Sequence, residues 1–367
     1  MAAASVGVGC GGPDRTERVE NGDAVETAEV ERPDGTFAVR DTLWSVGTLA
    51  GAPDEQFGGI TDAAFDGDGN VYLLDPRAHL VRAFSPEGTF LWAFGRSGRG
   101  PGEFSALEAI EHDGETTLYV LDRVSGLMRF RTTPQGMQFE GAVNLAADGI
   151  EGTDFCFLGD RIYVYGLSSE IERGTAHTHV VHELTREGER LRSFGELFGE
   201  PAGHPVQRAL SGWGRIACSR SSRTLLVASQ RTSELRAHRP EDGGLLWSDT
   251  LPDFVDVWMN LDPPGFPPGA FSLGEAPGGS DRNVAFHPLG PDDTWILVQS
   301  RRQATGDPPS ETVSSRFIDV TVGVCPTRSQ DLPLILAISG RLAVAVEERR
   351  FPRVHLIEVS HGRLDER

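Results

Sequence analysis

The chain has 367 residues, with 34 basic against 54 acidic side chains, a formal net charge of −20 at pH 7, 44 Gly, 23 Pro and 38 % hydrophobic residues. That negative balance argues against nucleic acid or an anionic membrane surface as the main partner. The apolar runs, such as 334–338, fall far short of the ~20 residues of a membrane-spanning helix. So much Gly and Pro between short apolar runs suits strands separated by many turns.

The first ten residues, Met1-Ala-Ala-Ala-Ser-Val-Gly-Val-Gly-Cys10, are similar to the end of a bacterial lipoprotein signal, in which Cys10 would carry the lipid. A positive leading segment and a full apolar stretch are missing, so the expectation is a start codon assigned downstream of the true one. Residues 11–35 are acidic and hold no aromatic side chain, too little apolar surface to fold alone. Residues 1–35 are therefore read as a signal remnant and flexible tether, and 361–367 as a tail. The protein is expected to be exported, as a periplasmic or cell-envelope lipoprotein.

Within 36–360 the pattern repeats. The clearest unit runs Gly59-Ile-Thr-Asp-Ala-Ala-Phe65, Asp66-Gly-Asp-Gly-Asn70, Val71-Tyr-Leu-Leu-Asp75, Leu80-Val-Arg-Ala-Phe84, then Thr89-Phe-Leu-Trp-Ala-Phe-Gly95. It reads as four short strands joined by Gly, Asn and Asp turns. A second copy carries Leu118-Tyr-Val-Leu-Asp122 in the place of the second strand, and later copies carry Arg161-Ile-Tyr-Val-Tyr165, Thr224-Leu-Leu-Val-Ala-Ser229, Thr294-Trp-Ile-Leu-Val-Gln299 and Leu342-Ala-Val-Ala-Val-Glu347. That makes six second strands. The first unit, with Asp68-Gly-Asn-Val-Tyr-Leu-Leu-Asp75, Arg82-Ala-Phe84 and Phe94-Gly-Arg-Ser-Gly-Arg-Gly-Pro-Gly-Glu-Phe104, resembles an NHL repeat. The resemblance implies an all-β, six-bladed β-propeller of four-stranded antiparallel blades, similar to bacterial six-bladed propeller lipoproteins. Leu43-Trp44-Ser-Val-Gly47 matches the fourth-strand segment Leu91-Trp92-Ala-Phe-Gly95, whereas 332–359 supplies only three strands. The N-terminal strand at about 42–47 should therefore complete the last blade and close the ring.

Cys156, Cys218 and Cys325 are widely spaced, and with Cys10 set aside their odd number gives no disulfide framework; Cys156 and Cys218 are read as small buried hydrophobes. Turns between first and second strands are short or moderate. The long insertions, 166–177, 195–212, 251–280 and 299–314, fall at the other end of the blades, which becomes the candidate binding face. The Pro- and Phe-rich segment 251–280, with Trp258, is read as a lid over the central channel.

Just past the second strands at that end stand Arg77, Arg123, Arg231, Arg301 and Arg349, with Arg173 in the third loop. A ring of guanidinium groups would recognise an anion by paired hydrogen bonds; pairing with neighbouring acids between blades is the plainer alternative. Arg82, Arg129 and Arg236 recur inside third strands and read as pairings within the blade. Some six-bladed propellers are metal-dependent hydrolases, and Asp62, Asp154 and Asn283, each three residues before a first-strand Phe, could offer oxygen ligands to Ca²⁺ at the axis. No nucleophile elbow, phosphate loop or His-Glu-x-x-His motif occurs. The expectation is thus a monomeric binding module, leaning away from an enzyme, for a small anionic ligand, glycan or protein. No cofactor is expected beyond a possible Ca²⁺. A Ca-dependent hydrolase, lactonase or lyase and an assembly scaffold are the alternatives.

Overall fold

The computed structural model describes residues 25–32, 35–172, 175–198, 212–256, 258–261, 271–274, 279–289, 293–304, 310–348 and 351–363. Two strands, β1 (Ala28–Arg32) and β2 (Gly35–Val46), precede the first blade. Blade one is β3 (Asp62–Phe65), β4 (Val71–Asp75), β5 (Leu80–Phe84) and β6 (Phe90–Phe94). Blade two is β7 (Leu107–His112), β8 (Thr117–Asp122), β9 (Gly126–Thr133) and β10 (Gly136–Val143). Blade three is β11 (Ile150–Leu158), β12 (Arg161–Glu172), β13 (Thr175–Thr185) and β14 (Arg190–Glu196). Blade four is β15 (Gly214–Ser219), β16 (Thr224–Ser229), β17 (Glu234–His238) and β18 (Leu245–Thr250). A hairpin, β19 (Trp258–Leu261) and β20 (Phe271–Gly274), lies in the long crossover that follows. Blade five is β21 (Ser280–Leu289), β22 (Trp295–Ala304), β23 (Ser310–Asp319) and β24 (Gly323–Ser329). Blade six holds β25 (Leu334–Ser339), β26 (Leu342–Glu348) and β27 (Pro352–Arg363), completed by β2.

Pairing within every blade is antiparallel, and the first strands touch in a closed cycle, β3 to β7 to β11 to β15 to β21 to β25 and back to β3. The fold is a six-bladed β-propeller with those first strands around its axis. The second strands explain why the sheets stand face to face. Val71 and Leu73 enter a cluster shared with blade six, while Tyr72 and Leu74 enter one shared with blade two. Leu118 and Val120 divide from Tyr119 and Leu121 in the same way. A strand buried on both faces needs an unbroken apolar run, and the period-two side-chain geometry shares that run between two interfaces. Six such clusters among the described residues fill the six spaces between blades.

Ring closure follows the expected route and extends beyond it. β2 pairs with β27 from Gly35 to Val46. Trp44 then reaches across to blade one, where its indole N–H donates to the Pro86 carbonyl at 3.0 Å. Gly88 in that turn has φ +82, and a Cβ there would meet Trp44 atoms at 2.7 Å, so the indole needs glycine beneath it. Upstream, β1 adds a fifth strand to blade six, in a stretch that the sequence assigns to the tether. Val25 and Val30 are buried in the same cluster as Phe37 and Val39. Composition weighs only the apolar surface a segment carries itself; here β2 supplies the rest.

The recurring second-strand Asp acts as a tie. Asp75 accepts from the Gly58, Gly59 and Ala78 amides at 2.9, 3.1 and 3.2 Å, and pairs with buried Arg82. Asp122 accepts from Ser105, Ala106, Val124 and Ser125 at 2.7–2.9 Å. Each joins the incoming crossover to the outgoing loop. Arg82 thus pairs within its blade as expected, and Arg236 does so with Glu234 at 2.7 Å while also reaching the Glu196 carbonyl of blade three at 2.7 Å; Arg129 instead donates to the Arg186 carbonyl of blade three at 3.2 Å.

The cysteine reading is corrected. Cys156 of β11 and Cys218 of β15 form a disulfide across 62 residues of sequence, with Cα atoms 5.8 Å apart. Spacing alone gave no pairing; the ring sets the first strands of blades three and four side by side. Closing so long a loop restricts the unfolded chain, so Cys218→Ser should lower stability by about 2–4 kcal/mol in urea denaturation. Thiol reduction should produce the same loss in the parent and none in the variant.

Candidate functional site

The first strands line a cavity of about 360 Å³ on the axis. Its walls run from Thr61 and Arg215 near the starts of first strands down to Asp66, Asp113 and Arg220 in the turns between first and second strands and to Ser339 at the end of β25. Five charged or titratable side chains on or beside first strands, and one on a turn, decide its character. Asp62 comes from blade one, Glu111 from blade two, Asp154 from blade three, Arg215 and turn residue Arg220 from blade four, and His287 from blade five.

Three of these also stitch the ring. Asp62 accepts the Ile110 amide of blade two at 2.9 Å, and Asp154 accepts the Ile216 amide of blade four at 2.9 Å. His287 Nε2 donates to the Ile335 carbonyl of blade six at 2.9 Å. Odd-numbered blades therefore reach over to even-numbered ones. Asp62 and Arg215 hold one register position, facing Leu74 and Ala228 just before the ends of their second strands. The same place carries an acid in one blade and a base in another. Arg215 lies 3.8 Å from Asp154, and Glu111 makes no hydrogen bond or ion pair among the described residues.

Desolvation dominates the electrostatics. Burial pushes the Asp62 carboxyl up to about 7, with Arg215 opposing and Asp154 adding to the rise. Burial, then Asp62 and Asp154, push Glu111 up to about 8 against a pull from Arg220. Asp154 is raised by burial as well, with Arg215 opposing. The His287 imidazole is pushed down to about 4 by burial, its bond to Ile335 opposing and Arg215 adding. The cavity thus holds three carboxylates that lack full solvation, with only two guanidinium groups to answer them.

Of the Ca²⁺ ligands expected from sequence, Asp62 and Asp154 share this cavity. Asn283 does not line it. Its amide nitrogen donates to the Ser229 and Thr232 carbonyls at 2.9 and 3.2 Å, and its oxygen accepts the Ser300 hydroxyl at 2.9 Å. The Asn283 side chain is thus engaged away from the cavity that Asp62 and Asp154 share, and among the described residues no three His, Cys, Asp or Glu side chains come together as a metal site.

The Arg residues expected to form a ring lie at the opposite end and divide by partner. Arg77 is exposed and donates to the Gly58 carbonyl at 3.2 Å. Arg301 pairs with Glu311 of its own blade at 2.8 Å. Arg123 pairs with Glu108 at 3.2 Å and also lies over the Trp213 ring, 5.8 Å from its centroid. Arg231 lies over the same ring, also at 5.8 Å. The structure therefore brings Arg123 and Arg231 together on Trp213, a residue the sequence did not single out. Arg173, Arg349 and Cys10 lie outside the described residues, as does the side chain of Trp258.

No protein-family model matches the chain, and no curated protein is significantly similar to it. Solved structures resemble it at low identity. A member of the DUF4221 family from Bacteroides vulgatus is 9 % identical with a TM-score of 0.51, the match covering 92 % of this chain and 99 % of that one. The extracellular domain of a one-component system from B. thetaiotaomicron is 10 % identical with a TM-score of 0.48, over 93 % of this chain and 41 % of that one. A protein of unknown function from Bacteroides caccae is 10 % identical with a TM-score of 0.43, over 82 % and 92 %. The DUF4221 likeness is one of fold.

Glu111, Arg215, Arg220 and His287 escape a reading by spacing. The usable signal is a charged residue interrupting an apolar first strand, as Glu111 does between Ile110 and His112. A raised carboxyl stabilises the folded state fully below its unfolded value near 4 and loses that contribution as pH rises through the folded value. For Asp62 and Glu111 the loss builds up from near 4 and is complete above about 7 and about 8. His287 acts the other way, contributing above 6.5 and losing that as pH falls toward about 4. Glu111→Gln should accordingly raise the unfolding midpoint by about 2 °C or more at pH 9 and leave it near the parent at pH 4, in thermal scans across that range.

Proposed function

We propose that this protein is an exported binding propeller that seats a small polar ligand with a positively charged group in its axial channel. The observation that carries the reading is Glu111, an acid whose side chain has no hydrogen bond or ion pair among the described residues, in a cavity also lined by Asp62 and Asp154. A cation seated there would supply the charge compensation that burial withholds. A volume of about 360 Å³ lies at the small end of ligand pockets. Arg215 and Arg220 add donors that can orient a neighbouring hydroxyl or carboxylate of the same molecule. Because the walls belong to first strands, which are the best-buttressed part of the ring, the seat is preformed. Export is supported by the Cys156–Cys218 disulfide, a bond that persists in oxidising compartments; lipid attachment at Cys10 belongs to the same proposal.

Calorimetric titration at pH 7.5 with a primary alkylamine, a quaternary ammonium ion and an amino sugar tests this. At least one should bind with proton release, read as an enthalpy that changes with the buffer's ionisation heat, because Asp62 and Glu111 are partly protonated at that pH. Glu111→Gln should weaken that binding by about tenfold, the scale of one lost charge-assisted contact. Absence of binding by all three, or equal affinity in Glu111→Gln, would overturn the reading.

A further inference from the structure

We propose that the opposite mouth of the ring is a separate binding site for a small organic anion, in which Arg231 and Arg123 hold a carboxylate or phosphate group and the Trp213 ring takes the body of the molecule. This site stands on observations independent of the channel.

The first is charge balance. Several guanidinium groups around this end are answered by an acid: Arg82 by Asp75, Arg236 by Glu234, Arg301 by Glu311 and Arg302 by Asp281. Arg231 has no carboxylate partner among the described residues. Its buried Nε has no acceptor, and the charged group that bears on it is another cation, Arg282 of blade five. In a chain of charge −20, an unanswered pair of like charges is a place where an anion removes repulsion and satisfies donors at once.

The second is the aromatic surface. Trp213 is 38 % exposed although guanidinium groups from blades two and four both lie over it at 5.8 Å. An indole with cationic neighbours and an open remainder offers a stacking surface for the apolar face of a sugar or an aromatic ring. Arg123 keeps Glu108 as partner at 3.2 Å, which leaves Arg231 as the main anchor.

The third is preorganisation. The Gln230 amide donates to the Trp213 carbonyl at 2.7 Å, fixing the indole's backbone beside the Arg231 loop. Asn283 fastens that loop from the next blade. Its side chain binds the Ser229 and Thr232 carbonyls, and its amide donates to the Gln230 carbonyl at 3.0 Å. The loop bearing Arg231 is thus clamped on both sides, so little ordering remains to oppose binding.

The full chain should be titrated with glucuronate and glucose 6-phosphate, with glucose as the neutral control, following tryptophan fluorescence and calorimetric heat. The two anions should bind and glucose should not, and their affinity should fall by tenfold or more as NaCl rises from about 0.05 to about 0.5 M. Arg231→Gln should weaken binding by about tenfold or more with an unchanged unfolding midpoint. Trp213→Phe should retain binding while losing the fluorescence change. Arg301→Gln, whose parent residue is already paired, and Glu111→Gln, in the channel, should bind as the parent does. Binding of glucose as tight as that of the anions, no binding of either anion, or undiminished affinity in Arg231→Gln would overturn the proposal.

Discussion

Pairing of β2 with β27 turns a curved row of five complete sheets and a three-stranded remainder into a ring, and the rest of the molecule depends on that join. An open row would leave one face of blade one and one of blade six in water, with the edge of β27 free to recruit another strand. Closure places Val71 and Leu73 of blade one against Val344, Val346 and Leu356 of blade six. It also brings β25 against β3, which completes the wall around the axis. Trp44 holds the seam from outside through its bond to Pro86.

Once the ring is closed, its interior sorts charge by place. Between blades the spaces are apolar, and the few buried ions there are tied into backbone, as Asp75 and Asp122 are. Along the axis, the first strands have neighbours on both sides and no room for a full hydration shell. Carboxylates that project there are pushed toward neutrality, which is the common cause of the shifts at Asp62, Glu111 and Asp154. The odd-to-even stitching through Asp62, Asp154 and His287 keeps these same groups fixed to neighbouring backbone. In Asp62 and Asp154 the structural tie and the raised carboxyl reside in the same side chain.

Charge is distributed differently along the axis. Glu111, Asp66 and Asp113 lie toward the turns that join first and second strands, Asp62 sits nearer the other end, and there Arg123 and Arg231 lie over Trp213, with Arg282 bearing on Arg231. Arg123 and Arg231 stand in the loops that follow second strands, and Trp213 immediately precedes the first strand of blade four. Both ends of the axis are built on strands braced by two apolar interfaces.

Sequence by itself determined the blades, their number and the closing strand. Each second strand is a five- or six-residue run such as Val71-Tyr-Leu-Leu-Asp75, and that information is local: the run is apolar because both of its faces are covered, and a turn must follow it. Asp62 and Asp154 could be placed at the axis for the same reason, by their fixed distance from a strand's Phe. Tertiary structure alone decided the rest. Glu111, Arg215, Arg220 and His287 come from three further blades and share no motif; they meet because the first strands converge on one axis. Asn283, similar to Asp62 in spacing, became a loop clamp because a bulge shifts the pairing between Asn283 and Ala285. Cys156 finds Cys218, and β1 leaves the tether for a sheet edge, through neighbours that are distant in sequence. Periodicity records how a strand is covered, whereas convergence at a point depends on how whole blades are set around the ring.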